Sequence, residues 1–477
     1  MKSLLKTLSF GAAAVIVTVL VVATILENLF GSPFAIENIY HSPWFIALWA
    51  LLAVTATAYI LRTQRRVSLI LLHASFVVVL LGAFVSFLTS KRGDMAISQG
   101  GVPASMFETS DGTLQKLPFR MQLADVDTKY SDNGTVSGYS VSIMADSTLH
   151  TLSLNTPVKI NGYQFCIKGV DEEGVSLLVA YDPYGRPISY LGYAMVFLSF
   201  LTLFFDRQSG FKALLYKVEG ESGKGKARFA LAFCSECSRG SSARSAVKTE
   251  SGKLVSTSFY LLVLSVFLCI LWYSRGVFSA TNGAEALLLL AVVLTLLAVV
   301  LRRVGRFVLL SRLLVVVAAM FFVVAALGLD GDSDVQPILR TPLLGIHVTT
   351  IIIAYALLAC TAVNAVIALC QKDAKRKEQQ ALLGRLLLYP ATMLLATGIF
   401  IGAMWANLSW GRYWGWDPKE VWALITLLVC SMGFHSHSLR FISKPVAFHI
   451  FCIVAFLAVL FTFFGVNYLL GGLHSYA

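Results

Sequence analysis

Five of the chain's eight tryptophans lie within residues 405–423, which read WANLSWGRYWGWDPKEVWA. One interpretation is an interfacial belt, because tryptophan is amphipathic and often collects at a membrane surface. Belt residues, however, are spread over many helix ends, whereas these are interleaved in one connection with Gly411, Tyr413 and Gly415. This concentration favours a platform for a large flat ligand. We call residues 405–423 the tryptophan segment.

Histidine is the second residue type that could perform chemistry here, and the chain has eight. Neutral imidazole is a good iron ligand, and two imidazoles can occupy both axial positions of a haem. Ionisable groups inside membrane spans tend to mark functional sites. A histidine that is hydrogen-bonded inside a helix bundle explains any single case equally well. A pair of histidines at matched depth favours ligation.

The elements that must position these residues are membrane helices. Hydrophobic residues make up 57% of the 477 positions, charged residues 13%, and the mean hydropathy is +0.74. This composition excludes an ordinary soluble protein. A hydrocarbon core of about 30 Å sets the length of a span, and we predict an all-α polytopic membrane protein with about 11 transmembrane helices. They lie near 9–29, 43–61, 67–89, 188–205, 256–273, 284–301, 307–329, 343–370, 386–405, 420–437 and 445–470.

The first span has two interpretations. Lys2 and Lys6 precede its apolar run, as they would in a cleaved signal peptide. The run is longer than the apolar region of a usual signal peptide, and it lacks a clear small-x-small cleavage site. These features favour a membrane anchor.

Basic loops predict the orientation of the spans. The segments 62–66, 302–306 and 372–377 are rich in Lys and Arg and should be cytoplasmic, because translocation of positive charge is disfavoured. The N-terminus is then cytoplasmic, and the C-terminus and the tryptophan segment are extracytoplasmic. This topology explains most of the net charge of +12, and no pattern indicates nucleic-acid binding.

Two regions outside the spans divide the chain. Residues 90–187 alternate like strands and contain turn signals, so we predict a small β-rich extracytoplasmic domain. Residues 206–254 are rich in Gly, Ser, Lys and Arg and are predicted to form a flexible, basic cytoplasmic linker. The linker would join an N-terminal unit of four spans, 1–205, to a C-terminal unit of seven spans, 255–477.

The cysteines give weaker signals. Cys166 is alone in the β-rich domain, so no intramolecular disulfide can form there. Cys234 and Cys237 form a CxxC in the linker. A lone CxxC without a strand-helix context or a second pair of ligands is better explained by chance than by redox chemistry or zinc binding.

Two histidines are predicted to lie towards the cytoplasmic face. His73 comes seven residues after Arg66, which places it about 10 Å into the third span. His435 lies about 27 Å along its helix from Asp417 at the outer end. His437 is near the same face, as is His449, so the choice of His435 leaves alternatives open.

Two further histidines are predicted to lie at the outer face, where the tryptophan segment is expected. His347 is close to the outer start of the eighth span, just after Pro342. His474 follows Gly471 and Gly472 beyond the outer end of the last span. His347 and His474 are therefore matched in depth.

The polar residues of the tryptophan segment also have two interpretations. Asp417, Pro418, Lys419 and Glu420 fit a capping box with proline at the first helical position, which favours a structural role over acid–base catalysis. Arg412 and Lys419 could pair with carboxylates such as haem propionates, or they could simply be solvated at the interface.

With these residues identified, the C-terminal unit resembles the CcsA family of cytochrome c biogenesis proteins, which belongs to a haem-handling superfamily with a tryptophan-rich WWD motif. WGRYWGWDPKEVWA is close to the family pattern throughout. TPLLGIHVTTIIIAYA, around His347, and FFGVNYLLGGLHSYA, around His474, are similar to the segments with the family's two outer histidines.

The N-terminal unit resembles the CcsB (ResB) partner of that family. The similarity lies in three spans, an outer domain and a fourth span, with LLHASFVVVLLGAF around His73 and RGDMAISQG at the start of the domain. The whole chain thus looks like a fused CcsBA, the System II cytochrome c synthase, with a shorter outer domain than fused members usually have.

The resemblance implies roles for individual residues. His73 and His435 would be the transmembrane axial ligands of haem on its way out, and His347 and His474 would be the outer ligands of the haem iron. The surface that holds haem would be formed by Trp405, Trp410, Tyr413, Trp414, Trp416, Asp417 and Trp422. No residue is assigned as a catalytic acid or base.

The resemblance also implies the activity, the ligand and the partners. The chain would be a holocytochrome-c synthase in a bacterial cytoplasmic (inner) membrane. It would export haem b, as substrate, and join it by thioethers to the CxxCH motif of an apocytochrome c. Membrane lipid surrounds it, and a thiol-disulfide oxidoreductase that keeps CxxCH reduced is a further expected partner. No CxxCH occurs in the chain itself, as expected of a synthase.

Two other functions compete with this one. A haem exporter or chaperone would deliver haem without forming bonds, as other WWD proteins do, although fusion to a CcsB-like unit argues against it. A non-haem transporter would use the histidines as a proton relay and the tryptophans as a belt. Such a transporter would show no Soret absorbance when purified from haem-replete cells.

Overall fold

The computed structural model describes residues 1–130, 134, 136–171, 173–206, 209–220, 283–303, 307–327, 337–339, 341–436 and 438–470. The chain folds into two compact units. The first comprises Met1–Ser199, Asp334–His347 and Thr397–Glu420, and the second comprises Phe200–Ser333, Val348–Ala396 and Val421–Ala477. Most of the tryptophan segment therefore belongs to the same compact unit as the N-terminal spans and the β-rich domain.

Four helices precede the β-rich domain in the first unit. They are α1 (Lys2–Phe30), α2 (Ser32–Ala35), α3 (Pro43–Thr63) and α4 (Val67–Thr89). A short π-helix, Ile36–Tyr40, follows α2 directly. The Ser42 hydroxyl accepts a hydrogen bond from the Phe45 N–H at 3.4 Å, and Pro43 takes the first helical position. This cap satisfies a free N–H and fixes the start of α3.

The β-rich domain is an antiparallel sheet of eight strands. They are β1 (Lys91–Ser98), β2 (Ala104–Thr109), β3 (Leu114–Tyr130), β4 (Val136–Ala145), β5 (Thr148–Ser153), β6 (Val158–Ile160), β7 (Tyr163–Val170) and β8 (Gly174–Tyr181). Their order is β5-β4-β3-β2-β1-β8-β7-β6. β5 also contacts β7, so the sheet curls on itself and resembles a barrel.

Alternating burial fixes the register of this sheet. In β3, Leu117, Phe119, Met121 and Leu123 are buried, whereas the residues between them are exposed. A slip of one residue would turn this apolar face towards solvent. The prediction of a β-rich domain is confirmed, and its extracytoplasmic location stays a prediction.

Nine helices follow the sheet along the described chain. They are α5 (Gly185–Phe205), α6 (Gly210–Gly220), α7 (Gly283–Arg303), α8 (Val308–Leu327), α9 (Pro342–Cys370), α10 (Ala374–Trp410), α11 (Pro418–Met432), α12 (Pro445–Leu460) and α13 (Val466–Leu469). In the second unit α7 packs against α8, and the Ser311 hydroxyl donates to the Ala298 carbonyl at 2.8 Å. Leu294 and Leu314 are fully buried in the apolar core around them.

The chain is a multi-pass membrane protein. Among the described residues, nine helices are long and apolar enough to cross a membrane, against the predicted eleven. The predicted span 256–273 lies outside the described residues. The predicted span 420–437 is the 15-residue helix α11 followed by a 3-10 turn, Gly433–His435, and it is shorter than the other nine.

Some predictions fall on residues that the structure does not describe. His474, His437, Cys234 and Cys237 lie outside the described residues, as do residues 221–254 of the predicted linker. Of the described part of that linker, Gly210–Gly220 is helical.

Candidate functional site

The tryptophan segment begins at the end of α10 and reverses direction at a glycine. The Gly411 N–H donates to the Asn407 carbonyl at 3.1 Å, and Gly411 has φ +69°. This is the left-handed conformation that commonly ends a helix. A Cβ atom at Gly411 would lie 3.1 Å from Cβ of Ala180 in β8. Glycine therefore allows both the turn and a close approach to the β-rich domain.

The segment leads into α11 through the predicted capping box. Asp417 Oδ1 accepts a hydrogen bond from the Lys419 N–H at 3.0 Å, and Pro418 is the first helical residue. Glu420 Oε2 reaches back and accepts from the N–H groups of Gly415 at 2.7 Å and Asp417 at 3.4 Å. The structural role that the sequence predicted for Asp417 and Glu420 is confirmed.

Lys419 lies at this cap, just before the predicted tenth span. Burial lowers the pKa of Lys419 to about 8, and the carboxylate of Asp417 opposes that shift. The ammonium group is thus weakly solvated beside one carboxylate.

The predicted aromatic surface divides into packed and partly open residues. Trp405 and Tyr413 are buried, whereas Trp410, Trp414 and Trp416 keep intermediate exposure. The Trp405 and Trp410 rings meet edge to face at 4.8 Å, and those of Trp414 and Trp416 do so at 5.8 Å. Trp410, Trp414 and Trp416 are thus the tryptophans of this loop that keep some exposed surface.

Trp422 belongs to the second compact unit. Its ring lies 4.0 Å from that of Phe461, tilted by 36°, and its carbonyl accepts a hydrogen bond from the Thr426 hydroxyl at 2.9 Å. Its predicted part in holding haem stays a prediction.

Tyr413 is held by a buried hydrogen-bond network. Its hydroxyl donates to Ser86 Oγ in α4 at 2.7 Å and accepts from Ser189 Oγ in α5 at 3.2 Å. The Ser86 hydroxyl donates in turn to Asp182 Oδ2 at 2.5 Å. The sequence did not point to Ser86, Asp182 or Ser189. The one available signal was the carboxylate of Asp182, which comes shortly before the span predicted at 188–205.

The β-rich domain touches the tryptophan segment through polar side chains. Gln164 in β7 is fully buried, and its Nε2 donates to the Asn407 carbonyl at 2.6 Å. The Ser409 hydroxyl donates to Asn155 Oδ1. A glutamine inside an apolar strand is unusual and can be recognised in the sequence. Its partner, the Asn407 carbonyl in a distant helix, cannot be predicted from the sequence. These bonds fix the segment against the sheet.

His347 lies in the first compact unit, on the first turns of α9. Its Nδ1 is 2.7 Å from the carbonyl oxygen of Gly398 in α10. A carbonyl can only accept, so Nδ1 bears the proton and Nε2 is the unprotonated nitrogen. A Cβ atom at Gly402 would lie 2.6 Å from Cε1 of His347. The imidazole therefore rests on the bare backbone of α10.

His73 and His435 have the same tautomer as His347. His73 Nδ1 donates to the Leu69 carbonyl at 2.8 Å, and His435 Nδ1 donates to the Ser431 carbonyl at 3.0 Å. His435 sits in the 3-10 turn after α11, not within a continuous α-helix. His73 belongs to the first unit and His435 to the second, and their pairing stays a prediction.

His449, an alternative candidate for the inner ligand, differs from His435 in the ring nitrogen that donates a hydrogen bond. It is fully buried in α12, and its Nε2 donates to the Lys377 carbonyl at 3.1 Å. Its Nδ1 is buried without a hydrogen-bond partner in the described part of the chain. Because a carbonyl can only accept, His449 is protonated at Nε2, whereas His435 is protonated at Nδ1.

Comparison with known proteins matches two regions of the chain. Residues 280–474 match the family described as cytochrome C assembly protein, and residues 63–183 match the ResB-like family. The first region includes His347 and the tryptophan segment, and the second includes His73 and most of the β-rich domain.

Three relatives illustrate the similarity. Protein NrfI of Wolinella succinogenes is 48% identical over 84 residues, which is 18% of this chain and 9% of that protein. Cytochrome c biogenesis protein CcsA of Chlamydomonas reinhardtii is 38% identical over 155 residues, 30% of this chain and 43% of the relative. CcsA of Pyropia yezoensis is 48% identical over 85 residues, which is 17% of this chain and 26% of that protein.

Each alignment covers less than half of the relative's own length. The similarity to CcsA and NrfI agrees with the two family matches and with a multi-pass membrane fold. The chain therefore joins a ResB-like region and a cytochrome c assembly region in one polypeptide, an arrangement consistent with a fused CcsB–CcsA protein of cytochrome c biogenesis.

Proposed function

We propose that this protein is a holocytochrome-c synthase that exports haem b and attaches it to the CxxCH motif of an apocytochrome c. The observation that supports this most is the placement of His347. Its imidazole is oriented by Gly398 and rests on Gly402 of α10. Eight residues further along the same helix, about 12 Å away, is Trp410 of the tryptophan segment. The imidazole of His347, which α9 carries, thus lies against the helix α10 that ends at Trp410 of the tryptophan segment.

The residues would have different roles in binding haem. His347 and His474 would hold the iron from its two axial sides, and His73 and His435 would hold haem earlier on its route. Trp410, Trp414 and Trp416 would pack against the macrocycle and exclude water. The gain in rate would come mainly from proximity and orientation of the reacting groups.

The substrate thiols supply the nucleophiles. Each S–H adds across one vinyl group, so that sulfur bonds to one vinyl carbon and the proton reaches the other, and the addition is redox-neutral. The apocytochrome must present reduced cysteines, which is why a thiol-disulfide oxidoreductase is an expected partner. The proposed location is the bacterial inner membrane, with the tryptophan segment on the outer side.

The test is expression of the full chain with a c-type apocytochrome in a host that lacks cytochrome c maturation. We expect haem that remains bound to the cytochrome after denaturing electrophoresis. A chain that binds haem but yields no covalent product would point to an exporter or chaperone, and a chain without Soret absorbance would point to a transporter of another substrate. His347→Ala should lower the yield, and His150→Ala, in β5, is the matched control.

A further inference from the structure

Three neighbouring strands place a short row of side chains on the outer face of the β-rich sheet. Arg92 in β1 pairs with Ala180 in β8, which pairs with Gln164 in β7. Directly paired residues point to the same face of a sheet. Met95 and Ile97 face the core, so Arg92 lies on the opposite face. The small Ala180 leaves space between Arg92 and Gln164.

The tryptophan segment enters that space. Gly411 approaches Ala180 so closely that a Cβ atom would be 3.1 Å from its Cβ, and Arg412 follows directly. A Cβ atom at Gly415 would lie 2.8 Å from Cζ of Arg412, so the guanidinium group folds back over Gly415. Arg412 is thereby brought beside the row that contains Arg92.

A third arginine reaches the same place from α5. Arg186 Nη1 donates to Gln164 Oε1 at 2.6 Å, and Arg186 is only 8% exposed. Its Nε atom, like that of Arg92, is buried without a hydrogen-bond partner in the part of the chain that the structure describes. Two buried N–H donors are therefore left over in one location.

The charges here do not balance. Burial lowers the pKa of Arg92. Tyr413 and Asp182 oppose this shift, whereas the positive charges of Arg412 and Arg186 lower the pKa further. Asp182 is the one carboxylate in this set. Its oxygens accept from the Ser86 hydroxyl and from the Gly185 N–H, and within the described ranges it forms no ion pair with an arginine.

Arg92 thus lies near two other guanidinium groups and near one carboxylate that is already hydrogen-bonded. Buried charge without a partner is costly, and arginine cannot relieve the cost by losing its proton. A guanidinium group matches the paired oxygens of a carboxylate or a phosphate. The unpaired Nε–H donors and the excess charge both favour an anionic ligand.

We propose that Arg92, Arg186 and Arg412 form a binding site for a carboxylate or phosphate group, between the β-rich domain and the tryptophan segment. Two ligands have this chemistry. One is a propionate of the haem, in which case the inference rests on the proposed function. The other is the headgroup phosphate of an anionic phospholipid.

The experiment separates these ligands. The full-length protein in nanodiscs of neutral phosphatidylcholine is titrated with ferric protoporphyrin IX and with its dimethyl ester, which lacks the propionate charges. If a propionate binds here, the wild type prefers the free acid by about 10- to 100-fold, and Arg92→Gln and Arg186→Gln lose that preference. Arg120→Gln, at an exposed arginine in β3, keeps it.

The second arm measures phosphatidylglycerol that is retained through purification, by native mass spectrometry. If the site takes a lipid phosphate, retention falls in Arg92→Gln and Arg186→Gln but not in Arg120→Gln, while the preference between acid and ester is the same in all variants. If neither porphyrin binds the wild type, the proposed function fails, and lipid retention alone decides whether the anion site exists.

A measurement of thermal stability shows whether a variant is misfolded. With neither haem nor anionic lipid present, Arg92→Gln should be at least as stable as the wild type, because a surplus buried charge is removed. Arg92→Lys, which keeps the charge but not the guanidinium fork, should retain only part of the preference. Unchanged acid preference together with unchanged lipid retention in the Arg92 and Arg186 variants would overturn the inference.

Discussion

Tyr40 stacks on Trp416, with ring centroids 4.6 Å apart and planes only 6° from parallel. Trp416 has φ +59°, a conformation that costs a bulky residue on the order of 1–3 kcal/mol unless its surroundings enforce it. Phe45 and Trp414 contact the same indole edge to face, at 6.0 and 5.8 Å. One face of Trp416 is therefore covered by protein, and the stack holds the strained turn before α11.

We expect Tyr40→Ala to lower haem content and holocytochrome yield, because Trp416 would lose the ring that fixes it. Tyr40→Phe should behave like the wild type or be slightly more stable, since the Tyr40 hydroxyl is buried without a hydrogen-bond partner in the described structure. Pyridine haemochrome assays and thermal melts of the two variants would measure this. Equal losses in both would show that the hydroxyl, and not the stack, matters.

A second prediction separates an aromatic platform from an interfacial belt. If the tryptophans only anchor helix ends, then Trp410→Phe, Trp414→Phe and Trp416→Phe should be mild, because phenylalanine remains apolar. If they orient the haem, small misplacements can lower the rate by on the order of 100-fold. Membrane abundance, haem content and holocytochrome yield are compared for each variant. Normal yield in all three would exclude the platform.

A third prediction concerns the outer ligands. His347→Ala and His474→Ala should each weaken iron ligation, shift the low-spin spectrum and lower synthase activity. Gly402→Ala should reproduce the His347 loss although the imidazole is still present, because the new methyl group would lie 2.6 Å from Cε1 of His347. Gly11→Ala is the control, since a Cβ atom there meets nothing within 4 Å. Wild-type spectra in both histidine variants would refute the outer assignment.

Local signals made parts of this structure predictable. The cap from Asp417 to Glu420 follows from residue types within one turn, and the alternation in β3 sets its buried face within one strand. Such patterns depend on neighbours in the sequence, and they were sufficient to predict the start of α11 and the β-rich domain.

Contacts between distant segments were not predictable. Tyr413 and Ser86 are 327 positions apart, and no periodicity connects a tyrosine in a loop with a serine in an apolar helix. Nothing in the sequence distinguishes Arg92 from an ordinary charge at the start of a strand, because its environment depends on the approach of Gly411 to Ala180. The sequence thus singles out the tryptophan segment but does not reveal the network that positions it.

A fourth prediction tests the inner pair. His73→Ala or His435→Ala should lower haem content even with the outer ligands intact, because one imidazole leaves an axial position open. Added imidazole should restore part of the activity by filling that position, and it should not rescue a variant that is merely misfolded. Loss of haem in His437→Ala together with normal haem in His435→Ala would reassign the ligand.

The last prediction uses Cys166 to test whether the β-rich domain packs against the tryptophan segment. Its thiol donates to the Leu408 carbonyl at 3.5 Å, and burial raises its pKa to about 11. Only the thiolate reacts with iodoacetamide, so at pH 8 about one molecule in a thousand is in the reactive form. Because the pKa is raised, labelling should rise about tenfold per pH unit from 7 to 10 without a plateau.

The measurement uses a variant in which Cys166 is the single cysteine, with the same protein in denaturant as the control. The denatured thiol should label faster at every pH and should level off as the pH passes the ordinary cysteine pKa of about 8.5. A native protein that levels off at that same pH would have a solvated thiol. In that case neither the contact with Leu408 nor the close packing of Gly411 against Ala180 would persist in the membrane protein.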